Sequence, residues 1–500
     1  MNLASIIEAH PQDRHAFVTA RGPVSYGELR ARCGAMRRFL VSEGVSAGDR
    51  IAIVAGATPG FAVAYLATVG LGAVAVPLNP HSPPAELERE LAAVGARLVL
   101  VALSGDSELA ADLDGLGDSR RVVTIEAAEQ AGALGAGAVP AVVSLAPETE
   151  AVLLFTSGTA GAPKAAVLSH DNLLANIEQV ECRIGLAATR DDVGILAVPP
   201  FHILGLNAVL GVQLYAGASL LLLEHFDPGA MLEAIASAGV SLLAGVPQLF
   251  AELAAFPDAT GDELSTVRLA CSGAAPLSQE TARAFEERYH VPLYEGYGLT
   301  EASPTVTFPD LSVARKPGSV GIPLPGVEVR IVDDDGEEVE PGDPGEILVR
   351  GPNVFAGYLD DEKATRRALD RAGWLHTGDV GVMDEDGALS IVDRKKDLVI
   401  VSGFNVYPSE VEEVLTSHPL VAEAGVVGLA DEARGEVVHA YVVPVASSWP
   451  PGSPEPAGLA DELIEHCETR LARYKCPVEV RLVRVLPRGA DGSLRRRSIA

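Results

Sequence analysis

Residues 153–167 read LLFTSGTAGAPKAAV: an apolar, strand-forming run that opens into small hydroxylated residues and glycines and closes at Lys164. Backbone N–H groups and hydroxyls in such a loop meet no bulky side chain, so they can surround an oxyanion, and a lysine adds a point charge. The G-x-x-x-x-G-K-S/T spacing is not met, which disfavours a P-loop NTPase. Composition alone leaves two readings open, a phosphate cradle and a plain turn. The strand that feeds the loop is one of several: RLVLVAL (97–103), AVLLFTS (151–157), SLLLLE (219–224) and VSLLAGVP (240–247) lie between segments of helical period. Apolar runs of this kind, separated by helices, predict an α/β fold of largely parallel sheets covered by helices.

The same alternation holds toward the N-terminus. PVSYGELRARCGAMRRFLVSEGVSAGDRIAIV (23–54) predicts a helix and then a strand, with Ser25 and Glu28 spaced as a capping box and Gly44 as terminator. GFAVAYLATVGLGAVAVPLNP (60–80) has the length of a membrane span, but it is built of Ala, Gly and Val with Gly70 and Gly72 in its middle. It is expected to be a buried helix followed by a buried strand. From about Gly318 the texture changes to short alternating strands and Gly/Pro/Asp turns, the mark of a small antiparallel unit. The acidic run Asp333–Glu340 is not a calcium loop, because the twelfth position from Asp333 is Pro344 where a bidentate Glu is required. Beyond Asp397 a tail of some hundred residues reads as α+β, with SEVEEVLTSHP (409–419) a helix capped by Ser409 and Glu412 and VVHAYVVPV (437–445) a strand.

With 500 residues, 48% of them hydrophobic, the chain is long enough for two or more domains. A net charge of −30 argues against nucleic-acid or anionic-lipid partners while leaving room for a local phosphate site. Five scattered cysteines without C-x-x-C or zinc spacing suggest reduced thiols that serve as packing. The first residues carry no basic region followed by an apolar core, so a cytoplasmic protein without a transmembrane segment is expected.

FTSGTAGAPK (155–164) resembles the phosphate loop of the adenylate-forming superfamily, which includes acyl-CoA synthetases, adenylation domains of peptide synthetases and firefly luciferase. Six more motifs follow in that family's order: PPFHILG (199–205), CSGAAPLS (271–278), YEGYGLTEAS (294–303), GWLHTGD (373–379), DRKKDLVIVSGFNVYPSEVE (393–412) and RYKCPVEV (473–480). The resemblance spans nearly the whole chain and is closest to the acyl-CoA synthetase branch. It implies a large N-terminal domain (1–394) of two helix-covered mixed sheets plus a small β-barrel-like unit. A small mobile α+β domain (395–500) would follow, hinged at Lys396.

The implied reaction is activation of a carboxylic acid by ATP to an acyl-adenylate, then transfer to the thiol of coenzyme A. It needs charge neutralisation and in-line positioning rather than a nucleophilic triad. The resemblance gives Thr156, Ser157, Gly158, Thr159, Gly161 and Lys164 to the triphosphate. Ser272, Gly273, Ala274, Ala275 and Pro276, with Glu295, Gly296, Tyr297 and Gly298, would form the adenine slot. Thr300 and Glu301 belong to the catalytic set, and Glu301 with Thr156 would hold Mg²⁺, a hard cation that needs few protein ligands when it bridges phosphates. Asp379 and Arg394 are placed at the ribose, His202 beside the reacting carboxylate, and Gly403 in a loop that lines the pantetheine channel. Taken singly, several of these have plainer alternatives: Tyr297 a core tyrosine, Asp379 and Arg394 surface charges, His202 a packed core histidine, and the Lys396–Asp397 turn an ordinary exposed one.

From Asp191 to Val267 there is neither lysine nor arginine, and the resemblance places the acyl pocket in that span. A second substrate carboxylate buried there would lack a partner, so a medium- or long-chain fatty acid is favoured over a dicarboxylate, with an aromatic acid as the alternative. A carrier protein's phosphopantetheine is the rival acyl acceptor, and the resemblance leaves a homodimer open. One departure from the family's pattern stands out. In VLPRGADGSLRRR (485–497) the family has a lysine after the glycine, reaching the substrate carboxylate and the ATP phosphate, whereas Gly492 is followed here by Ser493 and no lysine lies beyond Lys475. A slow adenylation step, a half-enzyme or a nucleotide-binding pseudoenzyme would each follow from that loss.

Overall fold

The computed structural model describes the chain except residues 103–119, 157–163, 184–187, 224–225, 395–396, 398, 402–403, 432–434, 451, 455, 457, 472, 489–493 and 500. The helix Tyr26–Ser42 begins at the expected cap, with half of the expected box: Ser25 is extended and its hydroxyl accepts from the N–H of Glu28, the only bond between the two among the described residues. Gly44, at φ 80°, follows the helix in the left-handed region that glycine enters without strain. The apolar stretch from Gly60 is a helix, Pro59–Gly70, and a buried strand, Val74–Leu78. No helix among the described residues is long and apolar enough to cross a membrane.

Two compact units result, Met1–Val329 with Val349–His376, and Arg330–Leu348 with Thr377–Ala500. The first holds two seven-stranded sheets. One runs in the order Leu293–Glu295, Leu269–Ser272, Leu242–Gly245, Val193–Leu196, Ser219–Leu222, His15–Thr19 and Gly22–Ser25, parallel throughout except for its last pair. The other runs Gly357–Tyr358, Lys164–Ser169, Glu150–Thr156, Val74–Leu78, Arg50–Val54, Leu98–Val101 and Arg121–Thr124. Its last five strands are parallel, while Lys164–Ser169 is antiparallel to both neighbours. A smaller antiparallel sheet joins Tyr297–Gly298, Thr305–Phe308 and Ile322–Pro323.

In the second unit, strands Leu375–Met383 and Leu389–Arg394 pair antiparallel. The acidic run from Asp333 is a turn, closed by a Val332–Glu338 bridge and by the Asp333 carboxylate accepting from the N–H groups of Asp335 and Glu337. A five-stranded sheet carries the helices Pro408–Thr416 and Leu459–Glu468, with Val411, Leu415, Leu463 and Cys467 in its core.

The expected cap on the first of these helices is not the one formed. Pro408 occupies the first helical turn and Tyr407 precedes it without a side-chain cap, so Ser409 lies inside the helix. The Ser409 N–H is met instead by the carboxylate of Asp393, on a strand the periodicity could not bring to it. Glu412, the other half of the expected box, accepts from Val426 N–H and from Arg496. Cys33, Cys467 and Cys476 serve as packing, as expected, whereas Cys182 is exposed; burial pushes the thiols of Cys33, Cys271 and Cys467 up to about 12, which keeps them protonated.

Candidate active site

The phosphate-loop candidate is framed by two paired strands. Thr156 ends one, Lys164 begins the next, and the antiparallel register sets them directly opposite each other. Ser157, Gly158, Thr159 and Gly161 lie outside the described residues. The Lys164 ammonium stands 5.4 Å from the ring centroid of Tyr358, within cation–π range. Tyr358 reaches it because Gly357–Tyr358 pairs along the outer side of Lys164–Ser169, Tyr358 opposite Ala166. The Tyr358 hydroxyl donates to Oε1 of Glu301 at 2.7 Å. Burial, and then the adjoining Glu301 carboxylate, hold that hydroxyl well above the usual phenol range, so it remains a donor. The other Glu301 oxygen takes no hydrogen bond from any described residue, which leaves it for a hard cation, as the donor chemistry of Mg²⁺ requires.

Glu301 sits in a short turn, Thr300–Ala302, that is braced from several sides. Its backbone carbonyl accepts from Phe355 N–H, Asn353 donates to Ala302 O, and the Ser303 hydroxyl donates to Asn353 O. The buried Asn207 donates to Ser303 O and to Leu173 O. Asn207 belongs to Leu204–Gly211, which is hydrogen-bonded as a π-helix and starts two residues after His202. A π turn marks functional positions more often than ordinary helix does, and no periodicity in this run foretold it. Gly205 permits it, since a Cβ there would fall 2.3 Å from Pro199 O. Asn207 thus ties the helix that follows His202 to the turn that carries Glu301.

The adenine-slot candidates also come together. Strand Leu269–Ser272 leads into the loop Gly273–Pro276, where Ala274 has φ 70°, a left-handed backbone costly for a non-glycine residue and characteristic of functional loops. Gly296 N–H donates to Ser272 O, and Leu277 N–H to the Glu295 carboxylate at 2.9 Å. Gly298 owes its identity to packing, as a Cβ would meet Pro304 O at 2.2 Å. Burial pushes the Glu295 carboxyl up to about 7 despite the Leu277 bond, which lowers it. The folded state therefore holds this proton more tightly than the unfolded one, and stability falls as pH rises from the ordinary value of 4.5 to about 7. Glu295→Gln is expected to flatten that slope, by at most about 3 kcal/mol above pH 7. Thermal unfolding across this pH range measures it, and an unchanged slope would mean the carboxyl titrates normally.

In the second unit Asp379 and Arg394 face each other across the paired strands by register, and Asp379 is buried. Lys396, Gly403 and Ser493 lie outside the described residues. Two residues with evident roles were not found from the sequence. Tyr358 had no signal of its own, because its partners Glu301 and Lys164 are remote in the chain. Arg496, in the basic tail, binds Glu412 through two nitrogens, at 2.7 and 3.2 Å, and Asp397 at 3.4 Å. The surplus of arginine there gave only a general hint.

Comparison with known proteins gives the family. The model of the AMP-binding enzyme family matches residues 4–359, and that of the AMP-binding enzyme C-terminal domain matches 410–492. A feruloyl-CoA synthase from Amycolatopsis sp is 36% identical over 96% of this chain and 94% of its own. A long-chain-fatty-acid–CoA ligase from Yersinia pestis is 34% identical over 97% of this chain and 91% of its own. Among solved structures, ATP-bound MatB from Rhodopseudomonas palustris matches with a TM-score of 0.90 at 34% identity, covering 100% of this chain and 98% of that one.

Proposed function

Because the chain belongs to the AMP-binding enzyme family and is an AMP-forming acid–CoA ligase, we propose that it activates an apolar monocarboxylic acid, a medium- or long-chain fatty acid, through an acyl-adenylate. The observation that carries this reading is the set Thr156, Lys164, Tyr358 and Glu301, brought together where the strands flanking residues 157–163 pair. A carboxylate oxygen of the acid attacks the α-phosphorus of ATP, and the bond to the bridging oxygen breaks as pyrophosphate leaves. The coenzyme A thiolate then attacks the acyl carbonyl and AMP leaves. Lys164 supplies positive charge where phosphate oxygens gather, and Tyr358 fixes both the ammonium and the Glu301 carboxylate. Glu301 and Thr156 would hold Mg²⁺, which neutralises the leaving pyrophosphate.

The backbone of Ser272–Pro276 and the ring of Tyr297 take the adenine, with Glu295 bracing the loop. Asp379 and Arg394 take the ribose hydroxyls, and His202 borders the reacting carboxylate. Residues 1–394 and 395–500 act as the two functional bodies, with a turn about Lys396 bringing Gly403 toward the pantetheine for the second half-reaction.

Support for an apolar acid comes from the cation-free span 191–267. The arginine that ends it, Arg268, is committed to Asp192 through two hydrogen bonds of 2.9 Å. A second reading, an aromatic acid, is favoured by the feruloyl-CoA synthase relative. The test is a panel of fatty and aromatic acids with ATP, Mg²⁺ and free CoA, following pyrophosphate and acyl-CoA. Thioester from fatty acids is the expected result. Adenylate without thioester would point to a carrier-protein acceptor, and no pyrophosphate with any acid would overturn the reading.

A further inference from the structure

A cavity of about 60 Å³ lies between the strands Val193–Leu196, Leu242–Gly245 and Leu269–Ser272 and the π-helix with its continuation Val212–Ala216. Ile195, Val209, Val212, Leu243 and Cys271 are typical of its lining, and the Cys271 thiol is neutral. One lining residue is an amide, Gln213. It is 6% exposed, and its side-chain oxygen has no hydrogen-bond partner among the described residues. The amide fits flat against the sheet only because residue 194 is glycine, since a Cβ there would come 2.8 Å from the Gln213 Cδ. A buried amide without a partner is costly and is retained where it has something to meet.

The cavity shares two strands with the adenine-loop candidates. Cys271 and Ala244, both in its wall, immediately precede Ser272 and Gly245, and Gly245 O accepts from Gly273 N–H in the adenine loop. Its other wall is the π-helix that Asn207 ties to Ser303 beside Glu301. An acid with its carboxylate at His202 would lay its body along this helix toward Gln213, eleven residues on, roughly 16 Å at the α-helical rise. The 60 Å³ at that end equals roughly two water volumes, the space of a terminal group rather than a further run of chain.

We infer that Gln213 is a specificity-determining residue which receives a hydroxyl at the far end of the acid. This rests on the acid–CoA ligase reading above. A hydroxyl both donates and accepts, so it satisfies the amide whichever way the amide is turned. A chain ending in methyl leaves the amide oxygen unpaired, and sites built around a buried polar group reject analogues that lack its partner.

The test uses the full chain and pairs of acids differing only in a terminal hydroxyl: a graded series of aliphatic acids with their ω-hydroxy counterparts, and a ring acid with and without a para-hydroxyl. The hydroxylated member is expected to have the higher kcat/KM for pyrophosphate release by roughly 10–100-fold at the best-fitting length. Gln213→Met, which keeps the shape without the amide, and Gln213→Leu are expected to abolish or reverse that preference. Equal or better use of the plain acid at every length, or a preference that survives both substitutions, would overturn the inference while leaving acid activation intact. Thermal stabilisation of the wild-type chain by the free acids gives a second readout. Release of no pyrophosphate from any acid, with hydroxy acids stabilising wild type and Gln213→Met alike, overturns the inference and the ligase reading together.

Discussion

Replacing Ser493 by lysine is expected to raise the rate of pyrophosphate release by roughly 10²–10³-fold, the span that one charged or preorganised donor to a developing anion commands. The segment GADGSLRRR (489–497) lies where the match to the AMP-binding enzyme C-terminal domain ends, at residue 492, and the chain has no lysine beyond Lys475. Arg495 is two residues from the position, but a planar, weakly hydrated guanidinium does not reproduce the point charge of an ammonium. Arg496 is already engaged with Glu412 and Asp397. Thioester formation from a supplied acyl-adenylate is expected to be unchanged by Ser493→Lys, because that step does not use the missing cation. Adenylation and thioesterification measured separately for both chains decide the matter. If the native chain adenylates as fast as Ser493→Lys, serine at this position is no handicap and some other group supplies the charge.

Glu301→Gln is expected to lower pyrophosphate release by about 10²–10³-fold and to raise the Mg²⁺ concentration needed for half-maximal rate. The amide keeps the size of the side chain and can still accept from the Tyr358 hydroxyl at Oε1. It loses the anionic second oxygen, the one that no described residue binds. Tyr358→Phe should produce the weaker form of the same defect, about 10-fold, because it removes one hydrogen bond to the carboxylate while leaving the ring beneath Lys164. Titrations of Mn²⁺ into the protein with ATP separate cation binding from catalysis. Full activity of Glu301→Gln at low Mg²⁺ would remove Glu301 from the cation site.

How much of this was legible in the chain follows the range over which each signal acts. Strand, loop and strand around 153–167, the helix started by Ser25, and the helix-then-strand from Gly60 were readable because capping, turn chemistry and hydrophobic period act between residues a few positions apart. Lys164, Glu301 and Asp379 were singled out by the resemblance of the short motifs that carry them, and not by a local physical signal: taken singly, Asp379 reads as a surface charge. The start of the helix at 408 was misjudged because two local signals competed. Pro408 set the first turn one residue early, and Asp393, from another strand, supplied the carboxylate acceptor for the Ser409 N–H that Glu412 was expected to provide.

What only the tertiary structure decided are contacts between segments that share no local pattern. Tyr358 meets Glu301 and Lys164 because one short edge strand pairs in a particular register, and a register one residue away would turn its ring to the opposite face. Asn207 braces the Glu301 turn because a helix adopted π rather than α hydrogen bonding, a choice made by packing against Pro199 and Ser303. Gln213 is a buried amide at the end of an apolar cavity only because a strand passes with a glycine at 194. The sequence by itself determined the α/β elements and the order of the motifs. Which side chains brace Glu301, and that Gln213 is buried beside an apolar cavity, was decided by close packing among residues far apart in the chain, where each side chain's surroundings depend on which neighbour fills the space beside it.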